Sequence, residues 1–293
     1  VLEKVRELAS ERGIVVTGSE LVGLIPKAAM VNAGKFYLER MGESTGLPER
    51  MIMETAIQSM GLAELTPFDL DKKVIEYAIA KKDRLSAMSL ESFADLLSTD
   101  TPAPGGGSVA AFCAALSAAL TAMVYNLTIN KKGYESVQDI VRELAPQAQD
   151  IKLQAIQLID EDTDAFNAMM EASRLPKKTA EEIELREQRI EEATKQAILV
   201  PLHTLEIAVK ALKLADEVAK VGNINALSDA GTAALTALTA SKSAYYNVQI
   251  NLGQIKDEAF RKDIHNRAIN LLNESETLAS QVESFVSKSL ENE

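Results

Sequence analysis

From residue 88 onward, apolar positions recur at helical spacing, and no segment shows the alternation of a strand. The pattern predicts long helices over 106–129, 135–172, 180–220, 226–251 and 257–290, with Pro146 and Pro201 kinking or dividing the long ones. Ser89 suits a helix N-cap, followed by Glu91, Ser92 and Phe93. Helices of this length need a bundle or a partner subunit to bury their stripes.

The first 80 residues follow a different pattern and read as mixed α/β. A helix is predicted over 2–11, and Ile14 to Thr17 forms a short β-rich run. Pro26 suits the first turn of a helix reaching about Arg40, and Pro48 begins another that ends near Gly61. Asp69 or Asp71 could start the next, with Val74, Ile75 and Ala78 on one side. A lone strand is not stable, so this piece is expected to have sheet partners upstream. Residues 81–87, rich in Lys, Asp and Arg, read as a linker between a first unit, 1–80, and a second, 88–293. Val1 is not an initiator methionine and the chain opens within a helical pattern, so it reads as a fragment of a longer polypeptide. The fold class is therefore mainly α: an all-α bundle preceded by a small truncated α/β remnant.

Composition narrows the chemistry. A hydrophobic content of 46% is ample for a buried core, and abundant Ala without any Trp points to helices packed through small side chains. The net charge of −12 argues against nucleic acid as a partner and requires any anionic ligand to find a local positive patch. The single Cys113 rules out an internal disulfide and fits a reducing, cytoplasmic compartment. With only His203 and His265 and no Cys cluster, no metal site is expected, and both histidines read as structural. Residues 101–130 carry no charge and are long enough to span a bilayer, but Ala, Gly, Ser and Thr dominate them. They read as a buried helix rather than a membrane span.

Thr101-Pro102-Ala103-Pro104-Gly105-Gly106-Gly107-Ser108-Val109-Ala110-Ala111 is the most informative stretch. Two prolines stop what precedes, three glycines allow close backbone approach, and a helix start presents unpaired N–H groups to an anion. Gly105, Gly106, Gly107 and Ser108 are therefore candidate ligand-binding residues; a tight inter-helix turn is the alternative. Further along, Asp160 and Asp164 share a polar face with Gln157, Asn167 and Glu171. Asp162 instead lies among Ala155, Leu158, Ile159, Ala165, Phe166 and Met169 at helical spacing. A carboxylate in an apolar stripe is costly unless paired or useful, and burial would tune it for proton transfer. Pairing with a neighbouring helix is the other reading. Asn223, Ser228 and Asp229 follow Gly222 at a loop-to-helix junction and are first of all capping residues. Lys131 and Lys132 end the uncharged helix, where cations favour the dipole.

These motifs, with Leu158-Ile159-Asp160-Glu161-Asp162-Thr163-Asp164-Ala165-Phe166, Gly222-Asn223-Ile224, Ser228-Asp229 and Tyr246-Asn247-Val248-Gln249-Ile250-Asn251-Leu252, closely resemble the formiminotetrahydrofolate cyclodeaminase family from about Met88 onward. Val16-Thr17-Gly18-Ser19-Glu20-Leu21-Val22-Gly23-Leu24-Ile25-Pro26 resembles the end of the C-terminal subdomain of glutamate formiminotransferase. That order matches the bifunctional formiminotransferase-cyclodeaminase family and covers nearly the whole chain.

The resemblance implies ring closure of 5-formimidoyltetrahydrofolate to 5,10-methenyltetrahydrofolate with release of ammonia, in histidine degradation and one-carbon metabolism. It implies no cofactor beyond the tetrahydrofolate substrate. Asp162 aligns with the aspartate regarded as catalytic, and Asp160 fits the family motif as a substrate-binding residue. Asp164 stands where some relatives carry a basic residue and receives no role. Asn223 or Asp229 would hydrogen-bond the pterin ring, with Ser228 beside them; Tyr245, Tyr246 and Asn247 could line the pocket. Lys131 and Lys132 become candidates for the folate glutamate tail, polyglutamylated or not. A homodimer with its site between subunits, or a larger ring, is implied as well. The family's transferase histidine would lie upstream of Val1, so transferase activity is not expected from this chain. Two rival readings stay open: methenyltetrahydrofolate cyclohydrolase, and a non-catalytic helical assembly module.

Overall fold

Alanine is what lets the helices of the larger unit approach one another. In a computed structural model, residues 1–80 and 84–291 are described, and the chain divides into two compact units, Val1–Lys82 and Asp83–Glu293.

In the first unit, α1 (Leu2–Ser10) precedes the pair α2 (Lys27–Met41) and α3 (Glu49–Met60). Pro26 and Pro48 occupy the N-cap positions of the pair, and Gly42 and Gly61 end the two helices with positive φ. The helices cross where a Cβ on Gly34 would lie 2.0 Å from the Ile52 carbonyl oxygen, a contact open only to glycine. Met30, Met53, Ala56, Leu62, Leu70 and Val74 form the small core. Asp69 caps the short α4 (Leu70–Lys73) by accepting the Asp71 N–H, and α5 (Ile75–Ala78) follows. The strand suggested by Ile14 to Thr17 is absent: among the described residues, β pairing is limited to an isolated parallel bridge between Ile25 and Val74. Val15 is largely exposed, and the Ile14 N–H turns back to the Ala9 carbonyl, so this run has no neighbour to complete a ladder.

The second unit opens with a single 3₁₀ turn, Leu85–Ala87, inside the stretch read from sequence as a linker; residues 81–83 of that stretch lie outside the described residues. Helix α6 (Leu90–Leu97) is capped by Ser89, whose hydroxyl accepts the Ser92 N–H. The bundle consists of α7 (Gly106–Asn126), α8 (Gln138–Ser173), α9 (Ala180–Val221), α10 (Leu227–Leu252) and α11 (Glu258–Glu291). Helix α7 packs against α8, α9 and α10, while α11 packs against α9 and α10. Ala111, Ala114 and Ala118 of α7 and Ala230, Ala237 and Ala240 of α10 are essentially sealed from solvent. Near the far end of α7, the buried Tyr125 hydroxyl donates to the Leu214 carbonyl of α9 at 3.2 Å. By length and composition α7 could cross a membrane, yet its small residues here form the middle of the bundle.

Neither internal proline divides its helix. Pro146 lies within continuous α8, where Val141, Ala145, Ala148 and Ile151 are buried; Pro201 lies within α9 between buried Ile198 and Leu205. Burial of an apolar face on both sides of each proline outweighs the hydrogen bond it removes. A capping box starts α9, with the Thr179 hydroxyl on the Glu182 N–H and the Glu182 carboxylate returned to the Thr179 N–H.

Candidate active site

The glycine-rich helix start does hold an anion, and that anion is the protein's own Asp162. Gly105 is the N-cap of α7, and Gly106 and Gly107 form its first turn. Asp162 reaches this turn from the middle of α8. A Cβ on Gly107 would lie 1.9 Å from Asp162 Oδ1 and 2.5 Å from Cγ, so the carboxylate rests directly on the glycine backbone. The buried Ser108 hydroxyl donates to Asp162 Oδ2 at 2.9 Å and lies 3.2 Å from the Ile159 carbonyl oxygen. Burial pushes the Asp162 carboxyl above the ordinary aspartate range, while the Ser108 hydroxyl and backbone N–H, both directed at the carboxylate, oppose the shift.

Asp162 opens on a cleft of about 250 Å³. Pro102, Ala103 and the three glycines form one wall, and Phe166 and Met169 continue α8 along another. Ala197 of α9 and Asn247, Ile250 and Asn251 of α10 complete it. The polar side chains of the lining are thus one carboxylate and two carboxamides. The Asn247 amide nitrogen donates to the Ser243 carbonyl at 2.8 Å, and that of Asn251 to the Ala197 carbonyl at 3.1 Å. Such a cleft offers hydrogen-bond acceptors to a ligand rich in donors, together with one group able to take and return a proton.

The other residues singled out from sequence fall elsewhere. Asp160 is bound to Ser86, whose hydroxyl donates to Oδ2 at 2.5 Å and whose N–H lies 3.3 Å from Oδ1. Its carboxylate therefore fastens the 3₁₀ turn to α8. Lys131 and Lys132 lie beyond the C-terminus of α7, with the length of that helix, about 30 Å, between them and its glycine start. Asn223 sits at the same far end: its N–H donates to Thr128 Oγ1, its amide nitrogen lies 3.4 Å from the Leu127 carbonyl oxygen, and its Oδ1 accepts the Asn225 N–H. Ser228 and Asp229 belong to the adjoining first turn of α10. Within one chain, the structure thus unites Gly105, Gly106, Gly107 and Ser108 with Asp162, and does not bring Lys131, Lys132, Asn223, Ser228 or Asp229 to them. Tyr245 packs on the core and Tyr246 is exposed, whereas Asn247 faces the cleft. Asn251, one turn beyond Asn247, has no role in the sequence reading; the i,i+4 spacing of the two amides is the signal that would have found it.

Fold and site together define a class: an all-helical domain whose glycine-rich helix start seats a half-buried carboxylate at the edge of an open cleft. Comparison with known proteins places that class in a family. The formiminotransferase-cyclodeaminase family matches residues 89–270, and the formiminotransferase domain matches residues 1–80. The chain is 36% identical over 285 residues to the formimidoyltransferase-cyclodeaminase of Mus musculus, covering 96% of this chain and 52% of the mouse protein. It is 38% identical over 194 residues to the methenyltetrahydrofolate cyclohydrolase of Methylorubrum extorquens, covering 66% of this chain and 93% of that protein. The crystal structure of formiminotetrahydrofolate cyclodeaminase from Thermotoga maritima superposes with a TM-score of 0.64 at 28% identity, over 71% of this chain and all of that one. The chain belongs to the formiminotransferase-cyclodeaminase family. It spans about half the length of the curated bifunctional relatives it matches.

Proposed function

We propose that the helical unit is a formimidoyltetrahydrofolate cyclodeaminase, converting 5-formimidoyltetrahydrofolate to 5,10-methenyltetrahydrofolate and ammonia. The observation that carries this reading is the Asp162 carboxylate, lifted in pKa by burial and held by Ser108 at the edge of the glycine-walled cleft. In the reaction, the substrate enters with its formimidoyl group protonated as an amidinium; N10 of the folate forms a bond to the formimidoyl carbon and gives up its proton. Asp162 accepts that proton and returns it to the amino nitrogen; the carbon–nitrogen bond to that group breaks, ammonia leaves, and the carbon is left double-bonded within the new ring. Electrons move only within these bonds, so the step consumes no oxidant, and the folate itself is the only small molecule required. Because both reacting groups belong to one molecule, orientation by the cleft contributes much of the acceleration.

A homodimer in the cytoplasm is the assembly and setting we infer. Supporting the dimer, Leu116 and Met123 on α7, Leu127 just past its end, and Leu235 and Tyr246 on neighbouring α10 are exposed apolar side chains that a second copy would cover. A second copy on this face would also give Lys131, Lys132, Asn223, Ser228 and Asp229 a route to a neighbouring site that their own chain does not offer. The lone Cys113 suits the compartment.

The test is to mix purified protein with 5-formimidoyltetrahydrofolate and follow methenyltetrahydrofolate absorbance and ammonia together. Matched appearance of both supports the reading; silence from folded protein overturns it. A second reading, methenyltetrahydrofolate cyclohydrolase, is favoured by the Methylorubrum relative, which matches over nearly its whole length. Decay of supplied methenyltetrahydrofolate without ammonia release would select it.

A further inference from the structure

Two consecutive glycines at the start of α7 each abut a different polar side chain. A Cβ on Gly107 would strike the Asp162 carboxylate, and a Cβ on Gly106 would lie 3.3 Å from Asn247 Nδ2 and 3.8 Å from Oδ1. The carboxylate of α8 and the carboxamide of α10 therefore flank one turn of backbone on the same cleft. The hydrogen bond to the Ser243 carbonyl fixes which amide atom is nitrogen, leaving Asn247 Oδ1 as an acceptor with no donor among the described residues. Asn251 is held in the same manner by the Ala197 carbonyl. No cationic side chain belongs to the lining. An acceptor-rich, cation-free site suits a positively charged group bearing several N–H bonds.

Resting on the cyclodeaminase reading, we propose that Asn247, supported by Asn251 one turn further along α10, is a specificity-determining contact for the amidinium end of the substrate. Its Oδ1 accepts an N–H of the formimidoyl amino group and aligns that group toward Asp162 for departure as ammonia. The glutamate-bearing end of the folate then points out of the cleft, away from the carboxylate.

The experiment compares wild type with Asn247→Leu and Asn247→Asp, reading kcat and KM for 5-formimidoyltetrahydrofolate across pH, alongside thermal melting. Asn247→Leu keeps the bulk and removes the acceptor; a fall of about 10- to 100-fold in kcat/KM is expected, with melting unchanged. Asn247→Asp keeps an acceptor and adds a like charge beside Asp162, so activity returns with its acid limb moved to higher pH. Should Asn247→Leu not fold, Asn247→Ala supplies the same comparison. Wild-type turnover with an equally active Asn247→Leu overturns the assignment, as does an Asn247→Asp enzyme no better than Asn247→Leu over the pH range. A wild type without turnover instead overturns the cyclodeaminase reading itself, so the two failures are distinct.

Discussion

Gly107 and Asp162 are in direct steric register: the carboxylate of one helix occupies the place where any other residue on α7 would put its Cβ, 1.9 Å from Oδ1. The glycine thus serves by having no side chain rather than by adopting an unusual backbone, since it is an ordinary helical residue. Gly107→Ala is expected to force Asp162 off Ser108, cost about 1–3 kcal/mol by overpacking, and remove the turnover proposed above. Gly105→Ala is the control, because a Cβ there meets nothing within 4 Å. Thermal melts of the two variants check the pair; equal melting would show that the first turn of α7 yields.

Asp162→Asn separates catalysis from stability. If Asp162 is the proton shuttle proposed above, its loss should lower kcat by roughly 10²- to 10⁴-fold. Stability should move the other way. Burial raises the folded-state pKa of Asp162, so its favourable contribution is complete below the unfolded aspartate value and is lost as pH rises through the raised folded value. At neutral pH the buried charge therefore costs the wild type what a neutral amide does not. The variant should melt higher than wild type at pH 7, and the gap should close below about pH 4. A lower melting temperature for the variant at pH 7 would mean that the bonds from Ser108 outweigh desolvation.

The same balance sets a pH profile. Because the carboxylate form must accept the proton, activity should fall on the acid side at a pH above the ordinary aspartate range. Ser108 favours the charged form through its hydroxyl, so Ser108→Ala should move the acid limb further upward while retaining turnover on its alkaline side. A limb that stays in place in Ser108→Ala would remove Ser108 from control of the proton.

Asp160 offers a contrast two residues away on α8. Its bonds to Ser86 fix the 3₁₀ turn ahead of α6, and it is not among the residues that line the cleft. Ser86→Ala removes the hydroxyl and keeps the N–H, so it should cost about 1 kcal/mol of stability and leave kcat near wild type. A rise in KM at unchanged stability would restore the substrate-binding role that the family motif implied for Asp160.

How far these features could be read in advance depends on how local they are. The long helices were legible because their apolar period persists over many turns, and the Ser89 cap because caps are set by residues two or three positions away; between Asp69 and Asp71 the sequence left the choice open, and Asp69 is the cap. The glycine turn and Asp162 were each legible as a chemically odd feature, a side-chain-free helix start and a carboxylate in an apolar stripe, but their pairing was not, because Ser108 and Asp162 are 54 positions apart. The bond between Asp160 and Ser86 joins residues 74 positions apart and leaves no periodic trace. Asn223 shows the converse: its capping role was readable, and that role already engages its oxygen and nitrogen at the end of α7 remote from Asp162. The β-rich run at Ile14 to Thr17 carried a propensity that only a neighbouring strand could realise.

The exposed apolar faces of α7 and α10 make the final prediction. Leu116 is 41% exposed and Leu235 is 54% exposed, each in the middle of a helix whose opposite side is packed with alanine. If these faces form an interface between two copies, the protein should sediment at twice its 31.7 kDa chain mass. Burying a glutamate there without a partner charge is costly, so Leu116→Glu combined with Leu235→Glu should yield monomers. On a face that is solvated, the same exchanges would alter stability by no more than about 0.5 kcal/mol per site and leave the mass unchanged. Neither residue belongs to the cleft lining, so turnover by the monomer reads whether the second copy contributes to the site. Activity lost together with the dimer would assign part of the site to the partner; activity retained by a monomer would confine it to Asp162 and its own cleft.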